Sequence, residues 1–72
     1  MKDKGTVKTW ISDRGFGFLT DDFDDRTDIF FHVSALPPID RLVVEEGQRF
    51  QYETQNGRDG RMQAVRMERI EE

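Results

Sequence analysis

The chain has 72 residues with fifteen acidic and eleven basic side chains, a formal charge of −4, 35% hydrophobic residues and no cysteine. A chain of this length makes one small domain that buries only about 60% of its unfolded surface, and without cysteine it has neither a disulfide framework nor a thiolate zinc site. The acidic balance argues against holding duplex nucleic acid chiefly by neutralising phosphates, and no stretch approaches the ~20 apolar residues of a membrane span. Met1-Lys2-Asp3-Lys4-Gly5 has no apolar run behind it, so a signal peptide is not expected. We expect one domain over residues 1–72, soluble and cytoplasmic. The charges are unevenly placed: Asp21, Asp22, Asp24, Asp25 and Asp28 crowd one segment, whereas Lys8 and Arg14 flank a glycine and phenylalanine run.

Gly5 to Ser12 is predicted as a first strand, since Thr6, Val7, Thr9, Trp10 and Ile11 all suit a pleated surface. Asp13-Arg14-Gly15 supplies a short turn, and a second strand runs from Gly15 to Thr20. Asp21 to Thr27 is predicted as a loop, because aspartates are poor strand formers and repel one another; Phe23 sits alone at its centre. The third strand covers Asp28 to Val33. Ser34-Ala35-Leu36 is a brief turn ended by Pro37 and Pro38. The connection from Ile39 to Gly47 has no sustained period, with Leu42, Val43 and Val44 expected to tuck against the rest. Phe50, Tyr52 and Thr54 alternate with polar neighbours as a half-buried strand, Asn56-Gly57 opens a turn, and a last strand follows from Met62 with its inward face left open between two alternations. Helix should be nearly absent.

Alternation places Phe16 and Phe18 on one face of the second strand, and Phe30 and His32 on one face of the third. If these strands pair, three rings and an imidazole share a patch. Gly15 and Gly17 mark a place where another backbone or a ligand comes close. Five short strands with glycine-rich turns indicate an all-β domain, and closure into a small barrel removes its edges.

Gly5-Thr6-Val7-Lys8, Gly15-Phe16-Gly17-Phe18-Leu19, Asp28-Ile29-Phe30-Phe31-His32-Val33-Ser34-Ala35-Leu36 and Glu46-Gly47-Gln48 together resemble the cold-shock domain family, in order along nearly the whole chain. The resemblance implies a five-stranded antiparallel oligonucleotide-binding barrel. It also implies a binder of single-stranded RNA or DNA, often pyrimidine-rich, that acts as an RNA chaperone or stress regulator. Carried over residue by residue, Lys8 matches the family's first-strand lysine, Arg14 keeps the charge of its usual lysine, and Phe16, Phe18, Phe30 and His32 match its stacking residues. Trp10 falls where a phenylalanine is usual. Arg41 stands where the long loop offers a phenylalanine, and can stack on a base or pair a phosphate; Arg58 and Arg61 are further candidates for phosphates. Thr9 and Val33 also replace aromatics of the family pattern.

For Phe16, Phe18 and Phe30 the plain alternative is ordinary core, but Leu19, Ile29 and Phe31 already supply a core face beside them. The aspartate cluster lacks the central glycine and terminal glutamate of a calcium loop, so neither metal nor cofactor is expected. Ser34, His32 and Asp28 project in parallel along one strand instead of converging, so no enzyme and no small-molecule substrate is expected. The expected partner is therefore single-stranded RNA or DNA. A rival reading is a protein-interaction barrel, or a weak homodimer, that has lost much of its nucleic-acid affinity.

Overall fold

A computed structural model describes residues 3–57 and 60–70. Its strands are β1 (Asp3–Ile11), β2 (Phe16–Asp21), β3 (Asp24–His32), β4 (Arg49–Asn56) and β5 (Met62–Arg69), with short 3-10 turns at Val33–Ala35 and Pro38–Asp40 after β3. They close into a barrel in the order β1-β2-β3-β5-β4. Four neighbouring pairs are antiparallel, while β3 and β5 run parallel through a bridge at Phe30 and Gln63. The expected purely antiparallel sheet is corrected here by parity: directions cannot alternate strictly around a ring of five, so one pair must be parallel. No helix among the described residues is long and apolar enough to cross a membrane.

Alternation along β2 and β3 sends Leu19, Ile29 and Phe31 inward, where they meet Val7, Leu36, Val44, Phe50, Tyr52, Ala64 and Met67 in one buried cluster. Two strands break the period. In β1, Val7 lies opposite Leu19 but Thr9 lies opposite Phe18, so Lys8 is an extra residue without a partner. Such a bulge reverses the parity beyond it: Val7 points inward before it and Trp10 after it. In β5, Val65 pairs with Glu53 and Glu68 with Gln51, and Arg66 takes a positive φ of 50° inside the irregularity. Ala64 and Met67, three apart, are therefore both buried. This settles the strand's inward face, which neither simple alternation describes.

The hairpin between β2 and β3 differs from the expected seven-residue loop, since β3 begins at Asp24. Asp21 pairs with Asp24 while Thr20 pairs with Asp28, leaving Asp25, Arg26 and Thr27 bulged out. Local side-chain bonds hold this shape. The Phe23 backbone N–H donates to Asp21 Oδ1 at 2.8 Å, and Arg26 N–H and the Thr27 hydroxyl donate to Asp24. The Thr27 hydroxyl first, then Arg26 N–H, lowers the pKa of Asp24 below its ordinary value, so this carboxylate keeps its charge to a lower pH than a free aspartate. Of the three apolar residues expected to tuck in from the long connection, only Val44 does. Leu42 is 96% exposed and Val43 half exposed; the segment bonds locally, with the Val43 N–H donating to the Asp40 carbonyl and the Gln48 side-chain amide donating to the Val43 carbonyl.

Tyr52 is fully buried yet reaches a polar partner. Gly5 makes this passage possible: a Cβ there would lie 2.7 Å from the Thr20 carbonyl oxygen and 3.1 Å from the Tyr52 ring. Across that gap the Tyr52 hydroxyl donates to Asp21 Oδ2 at 2.8 Å. Burial first, then the bond to Asp21 and its negative charge, raises the phenol pKa well above its ordinary value. Tyr52→Phe should cost about 1–2 kcal/mol at neutral pH by removing a bond to a charged acceptor. In the parent, full stability is present below the unfolded tyrosine pKa of about 10. It falls as pH rises above that value, because only the unfolded state ionises there. Urea midpoints measured against pH should show this alkaline decline in the parent and a shallower one in Tyr52→Phe; equal stability of the two proteins at neutral pH would rule out the buried bond.

Candidate nucleic-acid interface

The outward face of β2 and β3 is built by the same alternation that fills the core. Phe16 lies opposite His32 and Phe18 opposite Phe30, so four of the residues singled out from sequence come together. The Phe16 and Phe30 rings are 5.6 Å apart and tilted by 36°. Phe18 stands edge-on to both, 6.0 Å from Phe30 and 6.4 Å from Phe16. These are favourable separations for aromatic pairs, and all three rings stay partly open to solvent. The Arg61 guanidinium lies 5.9 Å from the centre of the Phe30 ring, within cation–π reach.

His32 is exposed at one end of the patch. The Ser34 backbone N–H donates to His32 Nδ1 at 3.1 Å, and the Ser34 hydroxyl lies 2.9 Å from the same nitrogen. With Nδ1 accepting, the neutral ring carries its proton on Nε2 and presents it to solvent. This bond also fixes the ring's direction where the chain enters the first 3-10 turn.

Trp10 is placed differently from the sequence expectation of a platform ring. It lies opposite Gly17, which lies opposite Phe31, so it belongs to the inward face and stacks on Phe31 at 5.6 Å with only 6° between ring planes. Gly17 leaves the space for this stack: a Cβ there would be 3.1 Å from both rings and would run into the Thr9 carbonyl oxygen. Of the two readings of that glycine, backbone approach is the one observed. Gly15 serves the turn instead, with φ of +71°, its N–H donating to the Ile11 carbonyl and its carbonyl accepting from Val33. Thr9 faces outward beside Phe18, so the threonine leaves that flank of the patch without a ring.

The cations are placed unequally. Lys8, projecting from its bulge, has Nζ 3.3 Å from both carboxylate oxygens of Asp28, a half-exposed pair of small net worth. Arg14 is exposed in the turn before β2. Arg41 donates from Nε to the Leu36 carbonyl at 3.1 Å, which ties it to the connection after β3. Arg58 lies outside the described residues. Asp28 was missed as a member of this face, although its position two residues before Phe30 makes it legible from alternation. Gln63 was missed because only the parallel closure brings it beside Phe30.

Charge divides the face. Beyond Phe18 and Phe30 come Thr20 and Asp28, then Asp22, which is paired with Arg49 and accepts from the Thr6 hydroxyl. The hairpin end is acidic, and the opposite end carries Phe16, His32 and Arg14.

Residues 3–70 match the model of the 'Cold-shock' DNA-binding domain. The chain is 41% identical over 59 residues to cold shock-like protein CspE of Escherichia coli, covering 82% of this chain and 84% of that one. It is also 41% identical over 56 residues to cold shock protein 2 of Lactiplantibacillus plantarum, covering 78% and 82%. Glycine-rich protein 2 of Nicotiana sylvestris is 44% identical over 66 residues, 90% of this chain but only 30% of that longer protein. Among solved structures, drosophila Unr CSD456 superposes with a TM-score of 0.78 over 99% of this chain and 27% of that one, at 21% identity, a likeness of fold. The chain belongs to the cold-shock domain family.

Proposed function

We propose that this protein binds single-stranded RNA or DNA without catalysis, stacking successive bases on Phe16, Phe18, Phe30 and His32. The observation that carries the reading is the contiguous outward set of Phe16, Phe18 and Phe30, three rings within 6.4 Å of one another on one sheet face. A packed core is already complete on the other face, so these rings are not needed there. Sequence-tolerant stacking on aromatic side chains, with cations along the backbone, is how single strands are held without base-specific readout. Lys8, Arg14 and Arg61 follow the phosphates, joined by Arg58; Arg41 extends the contact along the connection; and Trp10 supports the sheet from beneath the platform. A modest pyrimidine preference goes with stacking of this kind. By capturing unpaired bases the protein shifts RNA hairpins toward open forms by mass action, the work of an RNA chaperone in the cytoplasm under cold or other stress.

The phosphate contribution has a measurable signature. The association constant for an oligothymidylate should fall with salt by about −0.7 in logarithmic slope for each neutralised phosphate, about −1.4 to −2.8 in all for two to four cations. Undetectable binding at low salt, together with a solution mass that rises with concentration, would point instead to the protein-interaction barrel. The feature that favours that rival is the run of exposed apolar side chains at Ile39, Leu42 and Val43.

A further inference from the structure

The geometry points to a second, polar subsite for one nucleotide in the groove at the seam between β3 and β5, where the Gln55 and Gln63 amides meet a base edge and Arg66 meets the adjoining phosphate. This subsite rests on the single-strand reading above and extends it beyond the aromatic patch.

The groove follows from the way the barrel closes. β3 and β5 share a single bridge, at Phe30 and Gln63. Beyond it β3 turns into the 3-10 segment after His32 while β5 continues to Arg69, so the strands part. The opening has a volume of about 340 Å³ and is lined by His32, Ser34, Gln55, Gln63 and Arg66 along with small apolar side chains. That volume falls within the range of small-ligand sites.

Its chemistry suits a nucleotide. In a chain with fifteen acidic residues, the described residues that line this groove include no carboxylate. The Gln55 and Gln63 side chains, cross-strand neighbours on β4 and β5, make no side-chain hydrogen bond among the described residues. Each amide offers both a donor and an acceptor, which is what the edge of a base requires. Arg66 pairs at the surface with Glu53 at 3.3 Å, both side chains well exposed. Such a pair contributes little, and the guanidinium can exchange it for a phosphate.

Two further observations give the groove a direction. His32 both lines it and neighbours Phe16 across the ladder, so a strand leaving the aromatic patch past His32 enters it. The other exit runs past Asp28 toward the ionised hairpin tip and repels phosphates. Arg66 also sits on a left-handed backbone, φ 50°, a conformation that is unfavourable for a non-glycine residue. Without that bulge, the alternation that buries Ala64 would turn residue 66 inward as well. Strain of this kind gathers at functional positions, and here it delivers a guanidinium to the groove rim.

The test follows the side-chain amide resonances of Gln55 and Gln63 while the protein is titrated with oligothymidylates of increasing length. Affinities of Gln55→Ala and Arg66→Gln are measured alongside by fluorescence anisotropy. Both amides should shift once the oligonucleotide is long enough to pass His32. Each variant should then bind the longer oligonucleotide about three- to tenfold more weakly, the loss of one hydrogen bond or phosphate contact, while binding the shortest ones like the parent. Stationary amides and parental affinity in both variants would overturn the subsite and leave stacking intact, provided Phe30→Ala weakens binding in the same assay. Failure of the parent to bind any length would overturn both.

Discussion

Replacing Phe30 by alanine is expected to weaken oligothymidylate binding by roughly five- to a hundredfold, and replacing Phe18 by a similar or smaller factor, since one base stack is worth about 1–3 kcal/mol. Phe30 should cost more. It lies against Phe16, Phe18 and the Arg61 guanidinium, so its loss removes one stacking surface and loosens the placement of three neighbours. Phe18 meets both other rings edge-on at the flank where Thr9 offers no ring, and its loss shortens the platform without dissolving it. The double variant should lose less than the sum of the two, because each single change already disturbs the contact they share. Neither change opens the core, so urea unfolding should report a stability loss of about 1.5 kcal/mol or less, the scale of the aromatic contacts given up. Parental affinity in both single variants would sink stacking on this face.

Gly17→Ala should unfold or strongly destabilise this protein, since a Cβ there would lie nearer to a backbone oxygen than the 2.7 Å at Gly5. The new carbon would meet the Thr9 carbonyl oxygen on β1 and come within 3.1 Å of the Phe31 and Trp10 rings. A flexible side chain could swing aside, but Thr9 belongs to the backbone paired with β2, and the two rings are held face to face. Relief requires parting β1 from β2 or unstacking Trp10 from Phe31. We expect a loss of about 3 kcal/mol or more from a total of about 5 kcal/mol for a domain this small. Circular dichroism and Trp10 fluorescence should show a largely unfolded or much less stable variant. Unfolding within about 1 kcal/mol of the parent would mean that the sheet has slack at this point, and that the stack is not what the glycine serves.

These two expectations divide along the line between what was legible in the chain and what was not. That Phe16, Phe18, Phe30 and His32 share a face follows from a period of two along two uninterrupted strands, and the structure places them on one face. The role of Gly17 was only half legible. A glycine in a strand announces a close approach, but whether to a ligand or to another part of the chain depends on what lies opposite, and here that is Trp10. Trp10, which the family resemblance sets on the platform, faces inward because Lys8 is an unpaired residue in β1, and a single inserted residue reverses every side chain beyond it. No residue type announces that bulge, since lysine suits a regular strand position equally well.

The amino-acid sequence by itself determined the strand order along the chain, the register-bearing alternation of β2, β3 and β4, the anionic character of the hairpin and the family likeness carried by its spaced motifs. All of these rest on neighbours in sequence, where side-chain period and charge act directly. Only the tertiary structure decided which way Trp10 and Arg66 point, that β3 and β5 close the ring in parallel, and that a groove lined by two amides and a guanidinium opens at their seam. Each of those depends on partners far apart in the chain. A bulge is tolerated or expelled according to the strand beside it, and closure of five strands is a condition on the whole ring that no local stretch can express.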